Sequence, residues 1–158
     1  MEMTMTIAEP DLDGFYHIGR HRMRFEPPDI VQMFTSGVIE PEDFEQFFQL
    51  ATQLSPDRPI FMLRDAREGV LGPKTRARII ELAQPSRVGG VVNYGASFHT
   101  RVVVTMLLKA VRAFKNATPD VAFVETEQDA RAWIEAQRKR RSRAISLETK
   151  SMTNHAGS

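Results

Sequence analysis

Three short apolar runs, each leading into a helix that is apolar along one side, constrain most tightly what this chain can fold into. Ile60 to Leu63 precedes a helical stretch from Pro73 to Ala83, Val88 to Val92 precedes Ser97 to Phe114, and Val121 to Val124 precedes Glu127 to Ile134. Parallel strands covered on both faces read as continuous apolar runs, and each step between two of them needs a crossover, usually a helix. The pattern predicts an α/β fold: a single mixed, mainly parallel sheet with an N-terminal hairpin and about four helices.

The hairpin is read between Gly14 and Val38. Phe15, His17, Met23 and Phe25 alternate with polar residues, and Ile30 to Phe34 follows a turn at Glu26-Pro27-Pro28-Asp29. Proline fixes φ and lacks a backbone donor, so the pair must lie outside central strand positions. Glu40-Pro41 opens the first helix, with acidic residues at the positive end of its dipole. Phe44, Phe47, Phe48, Ala51 and Leu54 then share one face. Gly72-Pro73 opens the second helix, whose inward side is read as Ala77, Ile79, Ile80 and Ala83. Ser97 and Thr126 are placed to cap the third and fourth helices. Residues 1–13 are read as a mobile tail, 14–137 as the domain, and 138–158 as a basic helix extension with a disordered C-terminal tail beyond Ala144.

A chain of 158 residues is one domain with enough length to bury a core without staples. It has no cysteine, which excludes disulfides and thiolate metal sites. The N-terminus does not read as a secretory signal, and no apolar run is long enough for a membrane span, so a cytoplasmic location is expected. A formal net charge of +1 gives no bulk attraction to nucleic acid or membrane. The block Arg138 to Arg141 with Arg143 has no interleaved aromatics, so a solvated helix end is favoured over a phosphate-binding patch.

The order hairpin, helix, strand, helix, strand, helix, strand, helix resembles the STAS superfamily, and within it the SpoIIAA-like (anti-sigma-factor-antagonist-like) branch. The residues that carry the likeness are the aspartate-terminated strand Ile60 to Asp65, the stretch Val91 to Ser97, and the aromatic-bearing strand Val121 to Glu125 with the helix Glu127 to Ile134. The resemblance implies a regulatory, protein-binding or small-ligand-binding module without catalysis. In the anti-sigma antagonists the helix after that aspartate begins with a phosphorylatable serine. Here residues 65–75 contain no serine, and Thr75 is the only hydroxyl available as a candidate modification site.

Ligands of open parallel sheets gather beyond the carboxyl ends of the strands. That edge is expected to hold Asp65, Asn93, Tyr94, Gly95, Ser97, His99, Glu125 and Thr126, with Arg67, Arg101 and His99 setting the orientation of what binds. Ser97 lacks the second glycine of a Gly-x-Ser-x-Gly elbow, so helix capping is favoured over a nucleophilic role, and a small hydrolase is the third-ranked reading. Free N–H groups after Gly95, with Ser97 and His99 or Arg101, form a candidate anion site, although a plain strand-to-helix turn is the favoured reading. Asp65 is read chiefly as an anchor for the following loop. His17 and His21, four apart in an extended strand, lie roughly 13 Å apart and do not suit a shared metal. No metal or other cofactor is expected.

The third helix is the best clue to interaction. Its apolar residues cover about 240° of the circumference, more than packing on one sheet consumes. The surplus is assigned to Val104, Leu108 and Val111, and its cover is either the neighbouring helices or a partner. These residues, with the loops after Asp65 and Asn93, are expected to bind a protein partner or a second copy in a homodimer. The alternative is a carrier or sensor of a small apolar, lipid-like acid, with its headgroup at Ser97 and His99 and its tail beneath the third helix.

Overall fold

A computed structural model describes residues 9–156 of the chain. Six strands form one sheet in the order β1 (Phe15–Ile18), β2 (His21–Glu26), β3 (Ile30–Phe34), β5 (Ile60–Asp65), β7 (Val88–Tyr94) and β8 (Val121–Val124). The first three pair antiparallel and the last four run parallel. The fold class is the one expected, with one refinement at its start. Instead of one hairpin there are two successive ones, because the chain also turns at Gly19-Arg20, where Gly19 has φ +57°. A Cβ at Gly19 would stand 2.6 Å from an Asp43 carboxylate oxygen, so glycine serves both the turn and the close approach. Two short strands, β4 (Val38–Ile39) and β6 (Val70–Leu71), pair as a separate parallel ribbon.

Each parallel step is bridged by a helix: α1 (Pro41–Leu54) between β3 and β5, α2 (Pro73–Leu82) between β5 and β7, and α3 (Phe98–Lys115) between β7 and β8. All three steps move in the same direction across the sheet, so crossovers of one hand place α1, α2 and α3 on one face. Ser97 caps α3 by accepting from the Thr100 N–H at 3.2 Å, and Thr126 caps α4 (Glu127–His155) by accepting from Asp129 at 3.1 Å. α4 covers the other face, where Ala130 and Ile134 pack on Phe61, Leu63, Val92 and Tyr94. Gly90 permits this approach: a Cβ there would lie 2.7 Å from the Trp133 ring. Forked hydrogen bonds from Arg131 to Glu26 (2.9 and 2.7 Å) and an ion pair from Arg138 to Asp29 tie α4 to the β2–β3 turn.

Three boundaries differ from the sequence expectation. α4 does not stop near Ala144 but continues to His155, exposed throughout from Lys139 onward. The segment contains no Gly or Pro, includes the good helix formers Leu147, Glu148, Lys150 and Met152, and its Thr149 and Thr153 hydroxyls are spent on the carbonyls four residues earlier. Residues 1–8 of the expected tail lie outside the described residues. Its last part is anchored: the Asp11 carboxylate accepts from the N–H groups of Asp13 and Phe15, each at 2.9 Å, and pairs with His17 at 2.7 Å. In α2, Ala77 is exposed instead of inward, and the fully buried side chain is Thr75. Among the described residues no helix is long and apolar enough to cross a membrane.

Candidate functional site

Parallel pairing aligns residues of neighbouring strands in rows, and alternate residues of each strand face opposite sides. On the side covered by α1–α3, one row runs Val31, Met62, Val91, Val121, wholly apolar. The next row toward the carboxyl ends runs Met33, Arg64, Asn93, Phe123. Two polar side chains therefore stand side by side at the end of an apolar floor, on adjacent strands.

Above that floor the layers do not meet. A cavity of about 160 Å³ lies between the sheet and the three helices. Met62 and Val91 line its floor, Phe44 and Phe48 of α1 and Ile79 of α2 its walls, and Val104, Leu107, Leu108 and Val111 of α3 its roof. Its volume is close to that of an engineered apolar cavity, roughly 150 Å³, that binds benzene. Arg64 and Asn93 also line it, and both are buried, at 6% and 1% exposure. Nε and Nη2 of Arg64 and Nδ2 of Asn93 meet no hydrogen-bond partner among the described residues. Burial pushes the Arg64 pKa below the usual arginine range, with the charge of Asp65 opposing. Arg64 also borders a smaller cleft with Gly69, Leu71, His99 and Thr100, between the β4–β6 ribbon and the start of α3.

The expected edge cluster is divided by strand parity. Asn93 points into the cavity, while Tyr94 packs in the core under α4, its hydroxyl pushed up to about 12 chiefly by burial and then by the Asp65 charge. Asp65 is forked by Arg67, at 2.9 and 2.6 Å, and this hydrogen bonding holds its carboxyl below the usual range. It also accepts the Arg67 N–H at 3.1 Å, so it anchors its loop. Ser97 spends its hydroxyl on the cap and on Thr100 Oγ1 at 3.1 Å; His99 is exposed at the cleft, and Arg101 lies outside over the Phe123 ring. The favoured plain turn at Gly95–Ser97 fits this use of Ser97, and the unpartnered donors of Arg64 and Asn93 lie elsewhere.

Two further expectations are corrected. Thr75 is buried and donates its hydroxyl to the Ile39 carbonyl at 2.6 Å, which removes it from the surface a modifying enzyme would reach. Val104 and Val111 are buried and Leu108 lines the cavity, so the helix side assigned to partner binding faces inward. The exposed apolar residues of α3 are Phe98 (82%), Val102, Met106 (63%) and Phe114 (74%). Val104 and Met106 are two residues apart, about 200° around the helix, so the wide apolar arc holds both an inner and an outer face.

His21 is buried, its Nδ1 accepting the Ser36 N–H at 3.0 Å and its Nε2 facing Asp43 at 3.2 Å, a structural pairing. Among the described residues no three His, Cys, Asp or Glu side chains gather as metal ligands would.

Arg64 escaped the sequence reading as a site residue, although a signal existed. Ile60, Met62 and Arg64 share one face of a strand whose apolar run marks it as covered on both sides. A guanidinium at that position is set among apolar neighbours on a covered face, which marks it as costly unless it has a task. Comparison with protein-family models, curated proteins and solved structures finds no match for this chain.

Proposed function

We propose that this chain is a non-catalytic binding domain of the STAS-like, SpoIIAA-like kind that carries or senses a small apolar ligand held between its sheet and α1–α3. The observation that carries this reading is the apolar cavity beneath α3, formed by Val104, Leu107, Leu108 and Val111. Well-packed interiors leave few voids larger than a water molecule, and an unfilled one of this size costs stability. A ligand would return those lost contacts. Occupancy would reach α2 and α3 directly, since both line the cavity, and so supply a regulatory readout.

The test is titration of the full chain with toluene, followed by amide and methyl NMR. Shifts are expected at Val104, Leu108 and Val111 and not at Phe98 or Met106, with a melting temperature that rises with toluene concentration. Val104→Phe, which fills the space, is expected to abolish both responses. Absence of any shift at saturating toluene would refute the reading.

A second reading, a protein-interaction module or homodimer working through α3, is favoured by the exposed stripe of Phe98, Val102 and Met106, each four residues after the last. Contiguous exposed apolar residues of this kind mark contact surfaces. Met106→Asp is expected to weaken self-association in sedimentation velocity without changing the melting temperature. A wild-type chain that sediments as a monomer at all concentrations removes the homodimer.

A further inference from the structure

We infer that Arg64 and Asn93 form an anion seat at one end of the cavity, and that its ligand is a small carboxylic acid with an aromatic or short branched apolar body. The inference rests on the ligand-binding reading above and specifies the chemistry of what is bound.

Three observations converge on it. The first is chemical: a charged guanidinium and a carboxamide stand on adjacent strands, paired in register, with three N–H-bearing nitrogens that meet no partner among the described residues. Buried charge is ordinarily paired, because an uncompensated one costs several kcal/mol. The nearest acid cannot serve, since Asp65 follows Arg64 on the strand, faces the other side and is already forked by Arg67. The second is spatial: apart from this end, the lining is almost entirely apolar, so a bare anion leaves the cavity unfilled and a bare hydrocarbon leaves the donors unpaired. A ligand with one planar anionic end and one apolar body satisfies both. The third is size: about 160 Å³ admits a single ring or an equivalent branched chain, which excludes long-chain fatty acids from complete enclosure.

The geometry of arginine selects carboxylate in particular. Nε and one terminal nitrogen form a fork that matches two carboxylate oxygens, and these are the two fully buried nitrogens of Arg64 that find no partner among the described residues. Asn93 Nδ2 adds a third donor to the same group. The adjoining cleft between the β4–β6 ribbon and α3 reaches Arg64 from the other side, and His99 stands on its border.

The experiment compares, on the full chain by calorimetry and NMR, phenylacetate with its neutral amide of matched size, phenylacetamide, and with toluene as the apolar body alone and acetate as the bodiless anion. Phenylacetate is expected to bind at least about tenfold more tightly than phenylacetamide or toluene, as a charge-assisted pair in a desolvated site would give. Acetate alone is expected to bind far more weakly than phenylacetate. Arg64→Met should erase the preference for phenylacetate while leaving toluene binding in place, and Asn93→Leu should reduce it. Toluene binding without any preference for the carboxylate, or a preference that survives Arg64→Met, would overturn the anion seat and leave the cavity reading standing. Failure of every probe to bind would overturn both.

Discussion

Replacing Arg64 by methionine should stabilise the ligand-free protein, a direction opposite to that of most core substitutions. Arg64 is 6% exposed, and its Nε and Nη2 are fully buried without a partner among the described residues. A buried donor left unpaired costs about 1–3 kcal/mol, and more if charged. Exchange of buried ionic groups for apolar ones of similar volume is often neutral or stabilising by about 1–4 kcal/mol. Methionine keeps an unbranched stem in contact with the cavity lining, so little packing is lost. A gain of roughly 1–3 kcal/mol is expected, which for a domain of this size raises the melting temperature by roughly 2–12 °C. Urea unfolding followed by circular dichroism, in buffer free of organic acids, measures it, with an unchanged m-value confirming the same folded state. A loss of stability of comparable size would refute the reasoning, because it would mean that the guanidinium is satisfied within the ligand-free protein. A residue that costs stability and is recovered only by a ligand is the usual signature of a functional position.

Other substitutions test the surrounding architecture. Leu108→Asp places a carboxylate in the apolar cavity and is expected to destabilise by about 2–5 kcal/mol in urea titration; a folded variant of wild-type stability would return Leu108 to the surface. Gly90→Ala drives a methyl into the Trp133 ring and should cost about 1–3 kcal/mol, with Gly90→Ala/Trp133→Leu costing less than the sum of its parts in a double-mutant cycle. Hydrogen bonding from Arg131 holds the Glu26 carboxyl below its ordinary value of 4.5. Its contribution is therefore fully present above that pH and lost as pH falls through the lowered folded value. Glu26→Gln is expected to flatten this part of the acid-unfolding curve; an unchanged acid limb would count against the fork.

The sheet and its helices were legible because their signals are local. Three apolar runs, prolines at Pro41 and Pro73, and capping hydroxyls at Ser97 and Thr126 each act within a few residues of where they stand. The turn at Gly19-Arg20 escaped because two residues interrupt an alternation that is otherwise continuous. The site was only half legible. Asn93 could be placed near a strand end, but strand parity, not sequence distance, decides that it shares a cavity with Arg64 and that Asp65 and Tyr94 do not. The excess of apolar residues on α3 was visible in sequence, yet a helical projection has no external reference. Only the positions of α1, α2 and the sheet show that Val104, Leu108 and Val111 turn inward and Phe98 and Met106 outward. The length of α4 was missed because composition alone separates a solvated helix poorly from an unstructured tail.

Neighbouring residues of opposite sign, Arg64 and Asp65, lie on opposite sides of β5, so the polarity of the interior depends on counting and not on supply. Deleting one residue upstream in β5 would exchange them, sending the acid inward and the base outward. A pocket built to welcome negative molecules would then repel them, with every amino acid needed for the original preference still in the strand.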